Sequence, residues 1–363
     1  MSKYRNIEIT RNYRTMTDSR KKRLMWQVPF LILLIVGTIL IIRQQRNMPY
    51  QKCSGTIFGT IYNITYQYNE DLQKELVEKM NEVDRALSMF NENSVISHIN
   101  QGERHIPKTT EGDMFLEVYN LAMEIADDTQ GAFDITIAPL VNAWGFGFKS
   151  GDMPTDEQVD SMLQFVGYKN VSYFTERGER GINKQDSRIM LDCSAIAKGY
   201  GVDAVAQLLE KKGVKNYMVE IGGEIATRGI SEKRVPWKIG VTKPTEEGNL
   251  EGTELHTILN VTDKCMATSG NYRNFYYKGG KKYAHTIDPK TGRPVQHSIL
   301  SATVLADQCA RADAYATSFM VMGLDKTRKL LEKHPELIAY LIYDDNGENK
   351  VWYSPSMKDK IQK

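Results

Sequence analysis

The sequence predicts an α+β fold with mixed or antiparallel sheets, preceded by one N-terminal transmembrane helix. Three observations carry this expectation. Residues 24–42 are an uncharged apolar run of membrane-spanning length. Residues 72–166 place apolar side chains at helical spacings. Beyond residue 170, β-branched stretches multiply without the regular alternation that a parallel βαβ series requires.

The apolar run "LMWQVPFLILLIVGTILII" has 19 residues, enough for a helix to cross a bilayer core. Eight Lys/Arg precede it, "RKKR" at 20–23 among them, and only Arg43 and Arg46 follow closely. The positive-inside rule therefore puts residues 1–23 in the cytoplasm, 24–42 in the membrane, and a linker (43–54) and body (55–355) outside. "RQQRNMPYQ" lacks a small-residue cleavage pattern, so the expectation is a single-pass, uncleaved anchor in the cell membrane.

Along the body, "TIFGTIYNITY" (56–66) reads as a strand with a glycine at its centre. Leu72, Leu76, Met80, Val83, Leu87 and Phe90 form one helical stripe. A second helix begins near Thr110, with Thr110 and Asp113 as a capping box and Phe115, Val118, Ala122 and Ile125 inward. A third has its box in Thr155 and Gln158. Strands follow at 188–192, 217–221, 237–241, 255–261, 301–306 and 338–343. Between them lie a helix from about Ser194 closed by Gly213 and another ending at Gly323.

Composition excludes some functions. Residues 1–49 hold ten Lys/Arg against two Asp/Glu, so the rest holds 37 against 43 and is mildly acidic, which disfavours nucleic acid as a partner. Cys53, Cys193, Cys265 and Cys309 have no zinc-ligand spacing, and which of them pair outside the membrane is not legible. No GxGxxG or GxxxxGK[ST] pattern is present.

Several stretches suit a site. "GAFDITIAPLVNAWGFG" (131–147) mixes glycines, aromatic rings and Asp134, as a backbone approaching a flat, partly polar ligand requires; an aromatic core loop would read the same. In "LDCSAIAKGYGVDAV" (191–205), a helix start near Ser194 lies beside Asp192 and Lys198, an arrangement suited to a diphosphate, although Lys198 alone would be a solvated charge. "IGGE" (221–224) resembles a turn of close approach. "ATSGNYRNF" (267–275) adds a polar loop. "KKYAHTIDPKTGRPVQHS" (281–298) offers His285 as a general base, although a lone histidine is more often structural, Asp288 as a turn cap and His297 as a surface residue. "CARADAYATSFMVMG" puts Asp313 and Thr317 four residues apart on one helix face, in reach of a hard cation such as Mg²⁺; a capping Asp with a back-bonded Thr is the alternative.

These stretches, with "FGTIYNITY", "LSMFNENSVISHIN", "HTIDPKTGRP" and "ADAYAT", resemble in order the motifs of the ApbE family over nearly all of residues 55–325. The resemblance implies a single ApbE-type, T-fold-like body outside the cytoplasm. It implies Mg²⁺-dependent transfer of FMN from FAD to a Thr or Ser hydroxyl of a partner protein, in a D-x-x-[ST]-G-A-[ST] type motif, with release of AMP. Its flavin contacts fall on Phe58, Phe90, Ala132, Phe133, Asp134, Asp192, Lys198, Thr286 and Ile287. Its metal ligands fall on Asp313, Thr317 and the carbonyl of Ala195, and its catalytic base is His285. Phe58 and Phe90 stand where family members commonly have Met and Tyr. Two other functions use the same residues: a metal-dependent FAD pyrophosphatase, in which water replaces the hydroxyl, and a membrane-tethered FAD-binding protein without turnover.

Overall fold

The computed structural model describes residues 25–40, 48–146, 153–243, 255–270, 275–278, 281–284 and 286–362, with the backbone alone at 275–278 and 281–284. Two units separate between Pro49 and Tyr50. In the first, residues 25–40 form helix α1, whose apolar side chains are largely exposed. No helix among the described residues is long and apolar enough to cross a membrane, and Leu24, Ile41 and Ile42 of the expected span lie outside them.

The second unit opens with strand β1 (Tyr50–Ile57), so it starts before the expected boundary at 55. Strand β2 (Thr60–Gln67) pairs with it in a hairpin, where one strand was expected over 56–66. The reversal falls at Phe58 and Gly59, with φ of 52° and 69°. Positive φ at both central residues gives a turn whose twist matches that of paired strands, and glycine accounts for only half of it.

Helices α2 (Gln73–Leu87), α3 (Val95–Asn100), α4 (Thr110–Asp128), α5 (Ala138–Ala143) and α6 (Asp156–Leu163) follow. The stripe of α2 is buried from Leu72 to Leu87, but Phe90 lies past the helix end and is 70% exposed. Phe115, Val118, Ala122 and Ile125 of α4 are buried as expected, whereas its cap is Thr109, whose side chain accepts from the Gly112 amide. The Thr155–Gln158 capping box of α6 is present.

Strands β3 (Val171–Glu176) and β4 (Glu179–Lys184) form a separate ribbon, and α7 (Ser194–Lys211) follows. Residues 188–192, expected as a strand, form no ladder: Arg188 ends a turn and 189–192 are irregular. Asn100 takes both backbone groups of Leu191, and the Asp192 amide donates to the carbonyl of Ile135, so no neighbouring strand is needed. The remaining elements are β5 (Tyr217–Ile221), β6 (Glu224–Arg228), β7 (Trp237–Thr242), β8 (Leu255–Val261), β9 (Lys264–Gly270), β10 (Phe275–Lys278), β11 (Lys281–Ala284), β12 (Ile287–Asp288), β13 (Arg293–Pro294), β14 (Ile299–Ala306), α8 (Cys309–Met322), α9 (Leu324–Leu331), β15 (Ile338–Asp345) and β16 (Glu348–Tyr353). Gly213 and Gly323 close α7 and α8 with positive φ, as the sequence predicts.

Eight strands form one sheet in the order β1-β2-β5-β6-β9-β14-β15-β16, and every pair in it is antiparallel, as are the pairs of the smaller ribbons; "mixed" is thereby corrected. Period-two alternation sends Ala267, Val304 and Leu341 toward the helices, and Met266, Leu305 and Ile342 toward the β7–β8 ribbon. Both faces are thus covered, which is why β14 is apolar almost throughout. The fold also runs past 355: Ile361 bridges to Leu259, and the Gln362 amide donates to Ile258. All four cysteines are buried and unpaired.

Candidate active site

Helices α7 and α8 cross on the sheet so that their facing turns bring Lys198 and Asp313 together. The crossing is close because Gly199 has no side chain: a Cβ there would stand 2.4 Å from the Cys309 carbonyl oxygen. The Gly199 amide, whose helical partner would be the Ala195 carbonyl, donates to Asp313 Oδ2 at 3.1 Å. Lys198 Nζ lies 3.1 Å from Glu224 Oε1 and 3.6 Å from Asp313 Oδ2. Burial works against the Lys198 charge, but these two carboxylates outweigh it and hold its pKa above the ordinary lysine range. Burial, aided by Asp313 and opposed by Lys198, pushes Glu224 up to about 7.

This cluster forms the floor of a cavity of about 440 Å³. Eleven of the thirteen residues singled out from the sequence line it: Phe90, Ala132, Phe133, Asp134, Asp192, Ala195, Lys198, Thr286, Ile287, Asp313 and Thr317. Phe58 does not. It sits in the β1–β2 turn, and its ring packs on α7 over Gly201, where a Cβ would meet it at 2.7 Å. The thirteenth, His285, lies outside the described residues, between β11 and the cavity residues Thr286 and Ile287.

Local hydrogen bonds fix the walls. Asp134 Oδ1 accepts from the amide and hydroxyl of Thr136, and Oδ2 accepts from the Tyr168 amide at 2.8 Å. Its carboxylate therefore ties the loop together as well as lining the cavity, and burial raises its pKa in spite of these donors. Asp192 accepts from the Ser194 amide at 2.7 Å, so one of the first-turn amides of α7 is already engaged. The β12–β13 hairpin is braced by Trp144, whose indole donates to the Gly292 carbonyl at 2.7 Å. Asp288 accepts from the Lys290 amide, the turn role expected of it. His297 is not a surface residue: it is half-buried, its ring contacts the Val321 carbonyl at 3.2 Å, and burial lowers its pKa.

Sequence reasoning missed Glu224, which is 3% exposed and whose Oε2 has no hydrogen-bond partner. "IGGE" drew notice for its glycines, although a glutamate opening the apolar strand "EIATR" was the available signal. Met89, Ile137, Val141 and Phe146 complete an apolar wall opposite the charged floor. Among the described residues no group of three or more His, Cys, Asp or Glu is arranged to hold a metal. Asp313 and Thr317, which line the cavity on one face of α8, nonetheless suit Mg²⁺, which takes one or two carboxylates and fills its shell with water and phosphate.

An apolar wall, a floor carrying the Lys198 ammonium, and hard oxygen donors in one cleft fit a flavin linked to a diphosphate. The sequence profile of the ApbE family matches residues 58–342. The chain belongs to the ApbE family. Among its relatives in that family, the FAD:protein FMN transferase of Vibrio cholerae is 36% identical over 318 residues, covering 85% of this chain and 92% of the relative. That of Haemophilus influenzae is 35% identical over 304 residues, covering 81% and 87%. The solved structure of flavin transferase ApbE from V. cholerae superposes with a TM-score of 0.74 at 33% identity, over 86% of this chain and 99% of that one. The apo form of the Pseudomonas stutzeri flavinyl transferase ApbE does so with a TM-score of 0.75 at 27% identity, over 86% and 97%.

Proposed function

We infer that this ApbE-family chain is an FAD:protein FMN transferase. The observation that carries the reading is that Lys198, Asp313, Phe90 and Phe133 line one and the same cavity, so that one ligand can present a flavin to the rings and a diphosphate to the charges.

Lys198 and the start of α7 bind the diphosphate by charge and by backbone amides. Asp313, Thr317 and the Ala195 carbonyl would hold Mg²⁺. When bound, the ion neutralises diphosphate oxygens and stabilises the AMP leaving group. A Thr or Ser hydroxyl of the acceptor attacks the phosphorus on the FMN side. The bond from that phosphorus to the bridging oxygen breaks, AMP departs, and His285 takes the hydroxyl proton. The acceptor carries a D-x-x-[ST]-G-A-[ST] type motif. Residues 24–42 anchor the enzyme in the cell membrane with the body outside the cytoplasm, a reading supported by their hydropathy and by the Lys/Arg excess before them.

Hydrolysis of FAD by the same site is the competing reaction. The test follows AMP release from FAD and Mg²⁺ with and without an acceptor domain. Transfer predicts AMP in step with protein-bound flavin and little AMP without acceptor. AMP released at the same rate in both cases, with only free FMN beside it, would show a pyrophosphatase.

A further inference from the structure

Asp313 has two claimants: the divalent cation of the proposed reaction and the ammonium of Lys198. The geometry shows how the chain divides them. Of the two carboxylates, Lys198 hydrogen-bonds to Glu224, at 3.1 Å, whereas Asp313 Oδ2 lies 3.6 Å from it and accepts instead from the Gly199 amide. Gly222, with φ of 64°, clears the way: a Cβ there would stand 3.2 Å from Lys198 Cδ and 2.8 Å from Thr60 Cγ2. Glu224 is buried in the cavity wall, and its Oε2 is free to accept a second bond as Lys198 shifts.

We propose that Glu224 is a positioning residue that draws Lys198 off Asp313, keeping that carboxylate available to the divalent cation. The inference rests on the reading of Asp313 as a cation ligand. Without Glu224, Lys198 has Asp313 as its one remaining carboxylate partner in this cluster and competes there with the metal.

The experiment is a titration of the full chain with Mn²⁺ in the absence of FAD, read calorimetrically. Glu224→Gln and Glu224→Asp both weaken Mn²⁺ binding by about tenfold, the low end for residues that support a metal ligand. The aspartate keeps the charge but is one methylene too short to hold Lys198. In a Lys198→Met background the same substitutions change affinity less than twofold, and Lys198→Met alone binds Mn²⁺ more tightly than the unaltered chain. The proposal is overturned if Glu224→Asp binds like the unaltered chain, since charge alone then suffices. It is also overturned if the loss persists in full beside Lys198→Met, since Glu224 then acts on the ion directly. Should the Glu224 variants not fold, unchanged affinity in Lys198→Met overturns it. Asp313→Asn separates the two levels: affinity equal to the unaltered chain removes the ligand reading itself, whereas lost affinity with silent Glu224 variants removes only the positioning role.

Discussion

Replacing Gly199 by alanine adds one methyl where α7 crosses α8. Its carbon would stand 2.4 Å from the Cys309 carbonyl oxygen, 2.7 Å from the carbonyl carbon and 2.8 Å from Ala310 Cα. These are backbone atoms and have no rotamer to yield. Relief to an ordinary contact of about 3.5 Å requires the helices to part by about 1 Å. Overpacking of this kind costs roughly 1–3 kcal/mol. The same shift separates Lys198 and Ala195 from Asp313 and stretches the Gly199-to-Asp313 hydrogen bond. A displacement of about 1 Å at reacting groups is worth on the order of 10²-fold in rate. Urea denaturation of the body and single-turnover transfer from FAD would give the two numbers. Gly201→Ala is the control, because its Cβ crowds only side-chain atoms, the Phe58 ring at 2.7 Å with Ile221 Cδ1 at an ordinary 3.7 Å, and that ring can turn aside, so its loss is smaller on both counts. If Gly199→Ala keeps both the stability and the rate of the unaltered protein, helix proximity does not set the site.

Three further outcomes follow. Asp134→Ala leaves the Thr136 amide and hydroxyl and the Tyr168 amide without their acceptor and should cost roughly 1–3 kcal/mol in urea denaturation, beyond any effect on FAD affinity. His334 lies between Asp128 at 3.0 Å and Glu336 at 2.9 Å; burial opposes its charge, but the carboxylates outweigh it and raise its pKa above the ordinary 6.5. Its stabilisation is therefore full below pH 6.5 and lost as pH rises through the folded value, and His334→Gln should flatten that part of a stability–pH curve; an unaltered slope would refute it. His285→Ala should bind FAD with unchanged affinity and fail to transfer, as fluorescence titration and product analysis would show; normal transfer would remove it as the base.

The helical half of the fold was legible because burial imposes a 3.6-residue period, as in α2 and α4. The body's first hairpin was not, because its turn places Phe58, a bulky residue, at positive φ where glycine or asparagine is the usual signal. The segment 188–192 has strand composition, yet its partners are the Asn100 side chain and a loop carbonyl, which no local pattern announces. At the site, motif order identified the residues that meet in the cavity. Phe58 is not among them, its ring packing on Gly201 of α7, and motif order gave no sign of Glu224, whose role depends on the distance between β6 and α7.

The central claim, transfer of FMN to protein, is tested most directly by the intact mass of an acceptor domain incubated with this enzyme, FAD and Mg²⁺. The account predicts one added FMN, mapped to the Thr or Ser of the acceptor motif and absent with Asp313→Ala. An acceptor of unchanged mass while FAD is consumed would contradict it.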